Sequence, residues 1–253
     1  MIKRFCLPVF LVVSLASSGQ NISRVESKES LYLELMKNGK VVGKATGFVI
    51  KSPTRNYLVT NYHVVTNKVP GSKGWISTRR TVAPDKVAIF HHTGTANEYV
   101  VKYEKLYDRQ GRKKWYENRI KDSVIDVVAL PLTDTADITI YPVYFNNTHD
   151  YSYREAISVG GFPEGISEGA STTDTAKIST SEPLAFVDEK TFDAMSGSPV
   201  FYFPRYLEEM IAEDTTDATD YAPLFVGVFS RSAQMPTNIL KSSFLLKNFM
   251  KLP

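Results

Sequence analysis

Tyr57-Leu58-Val59-Thr60-Asn61-Tyr62-His63-Val64-Val65 is the stretch on which the fold turns. Residues 57–60 are a short apolar, β-branched run of the kind that packs as a buried strand, and the run ends on a lone histidine rather than in a polar loop. Just upstream, residues 46–50 form a second such run, and Lys51-Ser52-Pro53-Thr54-Arg55-Asn56 between them carries the proline and asparagine of a turn. Further back, Asn38-Gly39 separates the apolar residues 31–36 from Val41-Val42, a strong two-residue hairpin signal. This part of the chain therefore reads as consecutive antiparallel strands.

The pattern continues downstream, with strands expected at 87–90, 100–107, 124–132, 138–145, 156–159, 176–179, 199–202 and 224–229. Many short strands divided by Gly, Pro, Asn and Asp argue for an all-β antiparallel barrel or sandwich. Asp108-Arg109-Gln110-Gly111 reads as a hairpin turn, and the surrounding Arg109, Arg112, Lys113 and Lys114 as solvated charges rather than a binding patch. Helix signals are few. Residues 206–212 could form a short helix, and residues 237–253 are expected to end the chain as an amphipathic helix with Ile239, Leu246, Phe249 and Met250 on one face. Residues 131–138 are the best candidate for a connection between two halves.

Composition narrows the function classes. The 253 residues are 43% hydrophobic and 23% charged, which supplies a substantial core and argues against disorder. Residues 1–18 combine Lys3 and Arg4, an apolar run and the small exit Ala16-Ser17-Ser18, the layout of a secretory signal peptide, with an uncleaved signal anchor as the alternative. Removing Lys3 and Arg4 lowers the formal charge from +3 to +1, which gives no electrostatic footprint for nucleic acid. The only cysteine, Cys6, lies inside the leader, so the mature chain would have no disulfide, no cysteine nucleophile and no lipid-attachment site. A secreted or periplasmic protein without a stable membrane anchor is expected.

Three segments carry chemistry. The first is His63 at the end of its strand. The second is Asp122-Ser123-Val124-Ile125-Asp126-Val127-Val128-Ala129-Leu130, in which Asp126 heads an apolar strand; burying a carboxylate there without a partner would cost several kcal/mol, so a partner is implied. The third is Met195-Ser196-Gly197-Ser198-Pro199-Val200, where a glycine after Ser196 lets the backbone turn tightly and project the hydroxyl. A serine, a base and a carboxylate are what acyl transfer needs. Taken singly, each has a plainer reading: a satisfied strand-end histidine, a hydrogen-bonded turn aspartate, a loop serine. Their order and flanking runs favour the joint reading.

With these blocks in that order, and with Thr46-Gly47-Phe48-Val49-Ile50, Val159-Gly160-Gly161-Phe162-Pro163 and Phe225-Val226-Gly227-Val228-Phe229-Ser230 around them, the chain resembles the trypsin-like (chymotrypsin-fold) serine peptidases, particularly their disulfide-poor bacterial branch. The resemblance runs from about residue 30 to residue 232. It implies two packed antiparallel six-stranded β-barrels, 28–135 and 136–236, with the helix 237–253 behind them. It further implies that Ser196 attacks the carbonyl, His63 moves the proton and Asp126 holds His63. The amides of Ala194 and Ser196 would form the oxyanion hole, and Ser230 would line the wall against which substrate pairs. No cofactor and no metal is called for, the partner is a protein or peptide substrate, and a monomer is expected.

Two departures from the family pattern bear on this. Ala194 stands where the family usually has glycine, and a missing oxyanion donor costs about 10² to 10³ in turnover. Met195 stands where animal relatives have aspartate, which rules out activation by a salt bridge to a new N-terminus. Two rival functions stay open: a non-catalytic binding protein inactivated at Ala194, and an esterase-like or single-target serine hydrolase. By counting, Lys190 falls at the specificity-pocket floor and Arg231 at its rim, which would favour acidic side chains at the cleavage site. His91-His92 cannot share a metal because neighbours on a strand face opposite ways. The acidic stretch Glu208, Glu209, Glu213, Asp214, Asp217, Asp220 lacks calcium-loop spacing and reads as solvated.

Overall fold

The computed structural model describes residues 28–76, 81–93, 98–120, 122–143, 157–162, 178–181, 184–187, 195–202, 224–232 and 235–241. The expected leader, the short helix at 206–212, the acidic stretch, Lys190 and Ala194 all lie outside them.

Thirteen strands and one short helix make up the described chain. The first group is β1 (Ser30–Lys37), β2 (Lys40–Lys51), β3 (Asn56–Thr60), α1 (Tyr62–Thr66), β4 (Lys86–His92), β5 (Tyr99–Lys105), β6 (Tyr116–Ile120) and β7 (Ser123–Pro131). The second is β8 (Ile157–Val159), β9 (Ile178–Ser181), β10 (Leu184–Val187), β11 (Pro199–Tyr202), β12 (Leu224–Ser232) and β13 (Met235–Lys241). All named pairings are antiparallel. The first group bonds in the order β5-β4-β1-β2-β3-β7-β6 and the second in the order β8-β11-β12-β13-β10-β9.

The all-β expectation stands, with corrections. The first sheet has seven strands rather than six, because β6, a polar run without apolar alternation, adds to β7 at the edge. Among the described residues no pairing joins the end strands of either sheet. The start of the expected terminal helix is strand: Met235–Lys241 pairs with β12 on one side and β10 on the other, and this two-sided ladder outweighs a blurred helical period. Residues 242–253 lie outside the described part. The expected strand at 138–145 is, over residues 138–143, irregular chain with one bridge between Val49 and Pro142; proline has no N–H to extend a ladder.

Local chemistry explains the register. Asn38 (φ 49°) and Gly39 (φ 76°) both sit at positive φ between β1 and β2, as a type I′ hairpin turn requires. The Asp108 carboxylate accepts from the amides of Gln110 and Arg112 and from the Arg112 side chain, which closes the loop between β5 and β6. Of the basic residues around it, Arg112 pairs with Asp108, Lys113 with Glu117 and Lys114 with Glu104.

Two buried clusters hold the strands. One lies within the first sheet and includes Leu33, Leu35, Leu58, Val65, Ile89, Leu106, Trp115 and Leu130. The other joins the sheets: Phe48, Tyr57, Val59, Val127 and Ala129 pack with Phe201, Phe225 and Val228. Each such side chain contributes about 1.5–3 kcal/mol when fully buried. Because β3 and β7 give one face to each cluster, their C- and N-terminal residues respectively are fixed from both sides, and this is where His63 and Asp126 are found.

Candidate active site

His63 is the second residue of α1, directly after β3. The helix ends at Asn67, whose left-handed φ of 56° and amide bond to the His63 carbonyl (2.7 Å) close the turn. At its start, Asn61 occupies the N-cap position yet makes no side-chain cap bond. The cap comes from across the sheet instead: the His63 amide donates to Oδ1 of Asp126 at 2.9 Å. The other carboxylate oxygen, Oδ2, lies 2.7 Å from His63 Nδ1 and also accepts the Ser230 hydroxyl. The two side chains are only 9% and 12% exposed.

This arrangement fixes the imidazole. A carboxylate at Nδ1 favours the tautomer with its proton there, leaving Nε2 as the acceptor on the opposite edge of the ring. The backbone bond and the Ser230 bond prevent the carboxylate from swinging away. Next door, burial, reinforced by the charge of Glu117, pushes the Tyr62 phenol above its ordinary range, so it remains a neutral neighbour.

Ser196 lies in a tight turn leading into β11 and is 9% exposed. The turn is pinned on both sides: the Thr46 amide donates to the Ser196 carbonyl (3.0 Å), the Gly197 amide to Phe229 (3.0 Å), and the Ser198 amide and hydroxyl to Met195 (3.0 and 2.6 Å). Gly197 has φ +91°, and a Cβ there would lie 2.1 Å from the Thr46 carbonyl oxygen and 2.4 Å from Thr60 Oγ1. Only glycine allows that approach. Thr60 is three residues before His63, so the serine turn is seated against the end of β3. Thr46 ties the pieces together, since its carbonyl also accepts from Thr60 Oγ1 (2.8 Å) and its hydroxyl accepts from the Phe162 amide (3.2 Å).

No protein-family model and no curated protein matches the sequence. Solved structures do match in shape. A crystal structure of Deg5 superposes with a TM-score of 0.50 at 13% identity, covering 90% of both chains. A thermostable serine protease, AL20, from an extremophilic microorganism gives 0.50 at 11% identity, over 89% of this chain and 97% of that one. The serine endoprotease from Yersinia pestis gives 0.51 at 12%, over 90% of this chain and 64% of that one. The chain has the trypsin-like serine protease fold.

Within that protease fold, the structure brings His63, Asp126 and Ser230 into one hydrogen-bonded group and seats the Ser196 turn against the strand that leads to His63. The Arg231 backbone continues β12, while Ala194 and Lys190 are outside the described residues. Ser230 has a contact that its sequence position did not disclose: its hydroxyl reaches the carboxylate. Asn61 was also missed; its side-chain amide donates to the Asp126 carbonyl at 2.6 Å. His91 and His92 face opposite ways, His91 into the core and His92 against Tyr99 and Tyr141. Among the described residues, no three His, Cys, Asp or Glu side chains gather where they could hold one ion, and no helix is long and apolar enough to cross a membrane.

Proposed function

We propose that this chain is an exported serine endopeptidase that hydrolyses peptide bonds through an acyl-enzyme. The observation that carries the reading is the Asp126 carboxylate, which holds both the Nδ1 edge and the backbone amide of His63 while accepting from Ser230. A histidine fixed in this way is a general base with a defined acceptor nitrogen. In the proposed cycle, the Ser196 Oγ–H proton passes to His63 Nε2 as Oγ bonds to the scissile carbonyl carbon. The imidazolium then protonates the leaving amine as the C–N bond breaks. Water repeats the sequence on the acyl-enzyme, and the serine is regenerated.

Asp126 holds the ring and stabilises the imidazolium. The amides of Ser196 and Ala194 are the proposed oxyanion donors. Substrates are proposed to be proteins or peptides, with acidic side chains at the cleavage site favoured by Lys190 and Arg231. Residues 1–18 are the proposed leader to the periplasm or the exterior.

The experiment is labelling of the purified protein with a fluorophosphonate probe beside Ser196→Ala and His63→Ala. Labelling of the wild type that is lost in both variants is expected. A well-folded wild type that takes no label would overturn the peptidase reading in favour of a binding protein.

A further inference from the structure

The antiparallel register of β3 on β7 runs from Tyr57↔Pro131 to Thr60↔Val128 and stops. One further step would set Asn61 opposite Val127, and the next Tyr62 opposite Asp126. At Asn61 the chain instead leaves the sheet to start α1. Asp126 is therefore carried on a strand that has just lost its neighbour on that side, with a backbone carbonyl that no strand amide from β3 reaches.

The Asn61 side chain fills the gap. Its Nδ2 donates to the Asp126 carbonyl at 2.6 Å, and the residue has no exposed surface. Asparagine at an N-cap ordinarily uses its side-chain oxygen to accept from an amide of the first turn. Here that oxygen, Oδ1, is buried without a hydrogen-bond partner, and the first-turn amide of His63 is served by Asp126. The two residues have exchanged duties: Asp126 caps the helix of Asn61, and Asn61 completes the sheet of Asp126. An orphaned buried oxygen costs about 1–3 kcal/mol, so the arrangement is not one that capping alone would select. On the other flank of β7, where β6 has a register shift, the buried Asn118 reaches the Val127 carbonyl at 3.5 Å.

We propose that Asn61 is a positioning residue: by lending its amide to the Asp126 carbonyl in place of the missing strand, it sets the carboxylate where His63 Nδ1 and Ser230 can both reach it. This rests on the peptidase reading for its catalytic consequence, but not for its structural content. Misplacement of a reacting group by about 1 Å can cost roughly 10²-fold in rate.

Asn61→Ser discriminates. Serine is an equally good N-cap residue but is too short to hold the Asp126 carbonyl, so a role confined to capping predicts no change. We expect Asn61→Ser and Asn61→Ala to keep the wild-type circular dichroism. Both should lose the low-field proton resonance of the His63 Nδ1–H to carboxylate hydrogen bond, and both should label with fluorophosphonate about 10²-fold more slowly. Should the alanine variant fail to fold, the serine variant carries the test alone. A folded Asn61→Ser that keeps the resonance and the labelling rate overturns the inference, as does a wild type without the resonance. A wild type that shows the resonance but takes no label overturns the peptidase reading and leaves the resonance comparison to decide on Asn61.

Discussion

Acidification should destabilise this protein through a histidine remote from the candidate site. His91 on β4 is 1% exposed, and neither ring nitrogen has a hydrogen-bond partner. Burial, reinforced by electrostatic interaction with His92 and Lys102, pushes its pKa down from 6.5 to about 4. The sign follows from linkage. As the pH falls below 6.5 the unfolded chain takes up a proton that the folded chain refuses until about pH 4. Stability is therefore full above pH 6.5 and declines across that window. At 1.36 kcal/mol per unit the loss comes to about 3 kcal/mol, a sizeable part of an ordinary domain's 5–15 kcal/mol. The assay is urea unfolding of the wild type and His91→Leu at pH 7.5, 5.5 and 4.0. The variant removes the titrating group and its two unsatisfied nitrogens, so its stability should fall less over the range, by about 3 kcal/mol. Parallel curves for the two proteins would refute the reasoning.

Three substitutions probe the site. Gly197→Ala places a Cβ against the Thr46 carbonyl at positive φ, so the turn must move; a loss of about 3 kcal/mol or more and near-complete loss of labelling are expected, and a stable, reactive variant would contradict the packing described. Ser230→Ala removes one of the bonds to the Asp126 carboxylate. Labelling should slow by about tenfold or more, in line with the 1.5–3 kcal/mol typical of a hydrogen bond to a charged group, with the circular dichroism unchanged; an unaltered rate would remove Ser230 from the proposed machinery. Ala194→Gly should raise the labelling rate if alanine compromises the oxyanion donors, by up to about 10²-fold, and equal rates would show that alanine is tolerated there.

Much of the fold was legible because its signals are local. Asn38-Gly39 names its own turn, and the apolar runs leading to His63 and following Asp126 name their own strands. What escaped depended on partners far along the chain. Residues 237–241 are compatible with either period, and only the flanking β12 and β10 make them a strand. β6 is polar and becomes a strand because β7 offers an open edge. At the site, the residue types and their order suggested His63, Asp126 and Ser196. Asn61 could not be assigned a role, since its partner lies 65 positions away and nothing local to it signals the contact.

Two of the bonds at Thr46 have a consequence for biosynthesis. Thr46 belongs to the half of the chain made first, whereas the Ser196 and Phe162 backbones that it joins are made later. The serine turn is braced within the later sheet by Phe229 and Met195, but it reaches its seat against β3 only when that sheet docks on the earlier one. Under the peptidase reading, a chain made only as far as the first sheet has neither Ser196 nor the Ser230 bond that steadies the Asp126 carboxylate. Under that reading, reactivity comes only with docking, after both halves of the site have been made.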